Sequence, residues 1–138
     1  MTYRQMEEKT IVRLKIVSSN LTPKEISAAI GLRCNKSWRP GDRRGRTIIR
    51  ETTNGWILNS GLTEASSLEE QISHLLNRLE PSAEKLRALS EQESVELSCV
   101  IYASASPALN FSKSTIDQIS RIGASLDIDL YLIPDDEV

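Results

Sequence analysis

Seven basic residues fall between positions 33 and 50 of this chain: Arg33, Lys36, Arg39, Arg43, Arg44, Arg46 and Arg50. One acid, Asp42, lies among them, so the segment carries a charge of +6. Arginine offers a planar fork of donors that fits carboxylate and phosphate. Gly41 and Gly45, with Pro40 beside them, let the backbone approach a bound group closely. Trp38 adds a flat face for stacking, or for a cation–π contact with a neighbouring arginine. The chemistry suited to such a segment is capture of a negative group. The candidate residues are Trp38, Arg39, Gly41, Asp42, Arg43, Arg44, Arg46 and, further along, Trp56. Asp42 can hold one of the arginines in place, and the Trp56 ring suits a core anchor at least as well as a site.

Other reactive types are sparse and badly spaced for catalysis. Asp127 and Asp129 are two apart on an alternating stretch, so both carboxylates share a face. No third acid or histidine stands at motif spacing beside them, which favours a solvated charge ladder over acid–base work. His74, the one histidine, lies between Glu70 and Arg78 at helical spacing, the composition of an exposed helix face. No Gly-x-Ser-x-Gly elbow supplies it with a nucleophile. Cys34 and Cys99 form no Cys-x-x-Cys pair, and two cysteines with one histidine cannot complete a zinc site from those types alone. Cys34, beside Arg33 and Lys36, is a weak nucleophile candidate. Neither a Walker loop nor a Gly-x-Gly-x-x-Gly after a strand is present. No metal or cofactor is expected, and no catalytic residue is assigned.

The surroundings of the basic segment narrow its partners. Of 17 basic and 19 acidic residues, ten and eighteen lie outside it, a charge of −8. A basic patch on an acidic body disfavours general nucleic-acid binding, which uses a broad basic face. It suits a small anionic ligand or the acidic surface of a protein. With 138 residues, 39% hydrophobic and 26% charged, the chain fits one folded domain spanning 1–138. Aromatics at 4% leave the core to Leu, Ile, Val and Ala. No apolar run reaches the length of a membrane helix, and the charged first ten residues lack a signal peptide's apolar stretch. Two separated thiols point to a reducing, cytoplasmic setting.

The elements that must position the basic segment follow from periodicity. Thr10 to Val17 alternates as a half-buried strand. Leu21 to Ile26 is a helix start, with Thr22 as cap, Pro23 at the first helical position and Glu25 closing a capping box; Gly31 ends the helix. Thr47–Thr52 and Trp56–Ser60 read as two short strands joined at Thr53-Asn54-Gly55, a hairpin signal. Ser66 and Ser67 precede a helical stripe of Leu68, Ile72, Leu75, Leu76 and Leu79, which Pro81 interrupts before Ala83, Leu86 and Leu89. Val95 to Ile101 alternates as a strand. Ser112 caps a helix reaching Gly123, with Phe111 and Ile116 set to staple its start. Leu126 to Leu132 forms a last alternating strand. The ends, 1–9 and 134–138, are expected to fray.

The order β-α-β-β-α-β followed by α-β predicts an α+β fold. Its first six elements match a ferredoxin-like (split βαβ) sandwich, with an additional C-terminal helix and strand. One face of the sheet is then covered by helices. On the other, Arg13 and Lys15 are expected to pair with Glu96, Asp127 and Asp129.

Three stretches occur in the order in which one known family carries them. They are Trp38-Arg39-Pro40-Gly41-Asp42, Gly55-Trp56-Ile57-Leu58-Asn59-Ser60-Gly61, and Gly123-Ala124-Ser125-Leu126-Asp127-Ile128-Asp129-Leu130-Tyr131. From about Val12 to Tyr131 the chain resembles the bacterial and phage family known as domain of unknown function 4279. The resemblance implies no reaction. It implies a partner-binding protein of the immunity type suggested for some members; with the charge of the basic loop 33–50, the expectation is a non-catalytic binding protein that docks a partner through that loop. The alternative is a small-anion or nucleotide binder that uses the same arginines and Trp38.

Overall fold

The computed structural model describes residues 7–134. Alternation sets the first strand, β1 (Lys9–Ser18), which buries Val12, Leu14 and Ile16 and turns Arg13 and Lys15 to the opposite face. The frayed end expected over residues 1–9 does not include residues 8 and 9. Lys9 is already in β1, and the Glu8 carboxylate accepts the backbone N–H of Ser104 at 3.0 Å and its hydroxyl. The expectation for residues 1–6 and 135–138 lies outside the described residues.

The first helix, α1 (Pro23–Ile30), starts on a complete capping box between Thr22 and Glu25 and ends at Gly31, whose φ of 71° is left-handed. These capping bonds hold the Glu25 carboxyl below its ordinary range. The second helix, α2 (Leu68–Leu79), is capped by Ser67 and buries Ile72, Leu75, Leu76 and Leu79. A 3-10 turn at Glu80–Ser82 accommodates Pro81, and α3 (Ala83–Ser90) continues beyond it. Ser112 caps α4 (Lys113–Arg121). Phe111 packs against the core there, but Ile116 stays largely exposed, so the expected staple does not bury it.

Four more strands complete one sheet: β2 (Lys36–Trp38), β3 (Asn54–Asn59), β4 (Ser94–Ala103) and β5 (Ser125–Leu132). Their spatial order is β2-β3-β1-β4-β5. All neighbours are antiparallel except β4 and β5, which run parallel through the α4 crossover. The mixed α+β architecture agrees with the sequence.

The hairpin does not agree. Asn54 and Gly55 are not a turn but the start of β3, and Thr47–Thr52 forms no strand beside it. The partner of β3 is β2, and residues 39–53 make the connection. Gly55 serves here for its missing side chain rather than for a turn.

The core lies on the helix side of the sheet, where α1 to α4 cover Trp56, Leu58, Leu97 and Cys99. Among its buried polar residues, Gln71 makes the most side-chain hydrogen bonds. Gln71 on α2 accepts from Val12 N–H and Ser60 hydroxyl and donates to the carbonyls of Thr10 and Ser66, tying helix, strand and loop together. Among the described residues no helix is long and apolar enough to cross a membrane.

Candidate functional site

The strand register decides what reaches the open face of the sheet. Trp38 stands opposite Gly55, Lys36 opposite Ile57, Ile57 opposite Lys15, and Arg13 opposite Ser98. Directly opposed residues point the same way. Lys36, Trp38, Gly55, Ile57, Lys15, Arg13 and Ser98 therefore share one surface. The Trp38 ring lies on the backbone of Gly55. A Cβ at that glycine would fall 1.9 Å from the ring, so only glycine lets the indole settle there. Lys15 Nζ is 5.9 Å from the ring centroid, within cation–π reach.

The loop of residues 39–53 arches over this surface with its own hydrogen bonds. Asp42 accepts the Arg39 N–H at 2.8 Å and fixes the first turn. Two arms then pair back to back: Gly41 N–H to Glu51 carbonyl, Glu51 N–H to Asp42 carbonyl, and Arg44 N–H to Ile49 carbonyl. A bridge between Arg43 and Arg50 continues the pairing. Gly41 and Gly45, at φ 93° and 58°, permit the bends. The Arg44 side chain donates to Glu51 through both Nε and a terminal nitrogen, at 2.9 and 2.8 Å.

Between sheet and loop lies a cavity of about 340 Å³. Its lining includes Arg13, Lys15, Lys36, Arg43 and Arg44, and two acids, Asp42 and Glu51, for a charge of +3. Trp38 and Ile57 supply an apolar wall. Both acids already hold the loop together through Arg39 and Arg44. Among the described residues, no carboxylate lies within ion-pair distance of Arg13, Lys15, Lys36 or Arg43. The Nε of Arg13 is shut off from solvent and has no hydrogen-bond partner.

The sequence candidates thus separate. Trp38, Asp42, Arg43 and Arg44 come together at the cavity. Arg39, Gly41 and Arg46 are exposed on the loop but do not line it. Trp56 is wholly buried on the helix side, where its indole N–H donates to the Ser27 hydroxyl at 2.8 Å. It is a core anchor and leaves the candidate site, because its neighbour Gly55 takes the open face. Sequence reasoning missed Arg13, Lys15, Glu51 and Ser98 as site residues and left out Lys36 despite counting its charge. The signal was available for Arg13 and Lys15, since alternation in β1 already turned them away from the core.

The expected charge ladder does not form. Lys15 stands opposite Glu96 in register without coming within ion-pair distance, and Arg13 is separated from Asp127 by β4. Its like-charged neighbours thus stay available to the cavity. The other reactive candidates have structural places. His74 donates from Nδ1 to the Ser60 carbonyl at 2.7 Å, and Arg78 donates to the Asn59 carbonyl, so both clamp the end of β3. Burial, with the Asp127 charge second, pushes the Cys99 thiol up to about 12. Cys34 packs against the core away from the cavity. Among the described residues no three of His, Cys, Asp and Glu gather as metal ligands.

A family model described as a domain of unknown function, DUF4279, matches residues 8–133. No curated protein and no solved structure matches the chain.

Proposed function

The chain belongs to the family of domain of unknown function DUF4279, and we propose that it is a binding protein whose cavity takes a negatively charged group. The observation that carries this reading is the cavity lining, where Arg13, Lys15, Lys36 and Arg43 converge and, among the described residues, none has a carboxylate within ion-pair distance. An anion bound there offsets the mutual repulsion of these four cations. The concave shape favours a small ligand over a flat docking patch.

The test is a titration with pyrophosphate and with citrate, followed by indole fluorescence at low and moderate salt. A saturable change is expected, weakened at least about 10-fold in Arg13→Gln, the size of a lost charged hydrogen bond. A flat response in folded protein would remove the reading.

A second reading is the immunity-type protein, docking an acidic partner through loop 33–50. It is favoured by Ile48 and Ile49, exposed by 93% and 49% at the loop tip beside Arg46 and Arg50. An apolar tip ringed by arginine is the composition of a docking hot spot. Replacing both isoleucines by serine should then abolish partner capture and leave the pyrophosphate titration unchanged. A cytoplasmic setting belongs to either reading and is supported by two free thiols. For the fold, the order β2-β3-β1-β4 with antiparallel neighbours supports a ferredoxin-like, split βαβ core. In that description α4 and β5 are the added parallel unit.

A further inference from the structure

The cavity is larger than a bare anion needs. A water molecule's share of liquid volume is about 30 Å³, so 340 Å³ is roomy for inorganic phosphate and suits a small organic ion. Its lining is also divided by chemistry. Arg13 and Lys15 line the β1 side of the floor, Lys36 comes from β2, and Arg43 comes from the loop. Trp38 and Ile57, from β2 and β3, form the apolar part. The indole is pre-set, because it rests on Gly55 and has little freedom left to lose when a second flat group arrives.

A ligand that satisfies both halves carries a planar ring at one end and more than one negative charge at the other. A sugar phosphate leaves the tryptophan unused. An aryl carboxylate brings one charge to a lining of +3. We propose that the cavity binds a free nucleoside phosphate, with the base against Trp38 and the phosphate among Arg13, Lys15, Lys36 and Arg43. This rests on the anion reading above and names its ligand class. The acidic remainder of the chain, −8 outside residues 33–50, repels a long polyanion and favours the free nucleotide over a strand end.

The experiment is calorimetric titration of the full chain with pyrophosphate, ribose 5-phosphate, AMP, ADP and a short single-stranded oligonucleotide. AMP and ADP are expected to bind at least about 10-fold more tightly than ribose 5-phosphate, the scale of one base–aromatic stack. Trp38→Leu should erase that difference while ribose 5-phosphate binding stays within about 2-fold. In the unaltered chain, AMP but not ribose 5-phosphate should shield Trp38 from acrylamide quenching, which covers the case in which Trp38→Leu does not fold. Equal affinity for AMP and ribose 5-phosphate would overturn the nucleoside proposal and leave the anion reading standing. Tighter binding of the oligonucleotide would overturn the choice of free nucleotide. Binding of none of the five by folded protein would overturn both readings together.

Discussion

Trp56 and Trp38 sit one register step apart on neighbouring strands, yet one is sealed in the core and the other lines a charged cavity. Trp38 opposes Gly55, and the next residue of β3 must point the other way. On the helix side the indole N–H finds Ser27 and the ring is surrounded by aliphatic side chains. On the open side the neighbours are Lys15, Lys36 and the arginines of the loop. The same side chain thus serves the core on one face and lines a charged cavity on the other. The pleat of β3 makes the division.

The largest difference between the two faces is in access, and Cys99 reports it. Its thiol is buried on the helix side and pushed up to about 12, and only the thiolate reacts with thiol reagents. Labelling of Cys99 near neutral pH should therefore proceed only through opening of the core. It is expected to be on the order of 10³-fold or more slower than in unfolded chain, as a marginally stable domain dictates. Half-buried Cys34 should label far sooner, and mass spectrometry of the two peptides separates them. The same thiol fixes a pH dependence. The unfolded chain loses this proton near 9 and the folded one near 12, so above pH 9 the folded state holds more protons. Stability should fall as pH rises through that interval, and this part of the slope should vanish in Cys99→Ala. Rapid labelling of Cys99 in native protein would mean that the helix face is not sealed.

Truncating each tryptophan sharpens the comparison. Trp56→Ala should cost about 3–5 kcal/mol in denaturant unfolding, the range for a large aromatic removed from a core. Trp38→Ala should cost clearly less, because its ring is only partly buried. Equal costs would show that Trp38 is a second core residue and would weaken its part in recognition.

Gly55→Ala addresses the contact that holds the open-face ring. The new methyl would meet Trp38 at 1.9 Å, so the indole must move. Overpacking of this kind costs about 1–3 kcal/mol, and the Trp38 emission should shift to longer wavelength as the ring lifts. If stability and emission are both unchanged, the ring does not rest on Gly55, and the pre-set wall of the cavity is lost with it.

Much of this division was legible in the sequence. Alternation in β1 and β4, the capping box before α1, the serine cap of α2 and the break at Pro81 are local signals, and local physics decided them. The error at Asn54-Gly55 has a physical cause. Those residue types favour a turn in isolation, but pairing with β2 and the ring of Trp38 recruit them to a strand. The site was half legible. The arginines of the loop declare themselves by density, whereas Arg13 and Lys15 join them only because β1 lies at the centre of the sheet. Strand order is a long-range property, and no spacing within the chain announces it.

The smallest expected effect separates the loop's scaffold from its charge. Glu51 accepts from Arg44 at the cavity, in an ion pair whose arginine is 63% exposed and whose carboxylate is 11% exposed, so solvent screens it from the arginine side. Such a pair contributes about 0–1 kcal/mol, so Glu51→Gln should barely move the unfolding midpoint. It removes one of the two negative charges of the lining and frees the Arg44 guanidinium. Anion affinity should therefore rise by about 2- to 5-fold at low salt, an increment that shrinks as salt screens it. A fall in affinity would mean that the Arg44–Glu51 pair is needed to hold the loop over the sheet, and that the cavity's shape outweighs its charge.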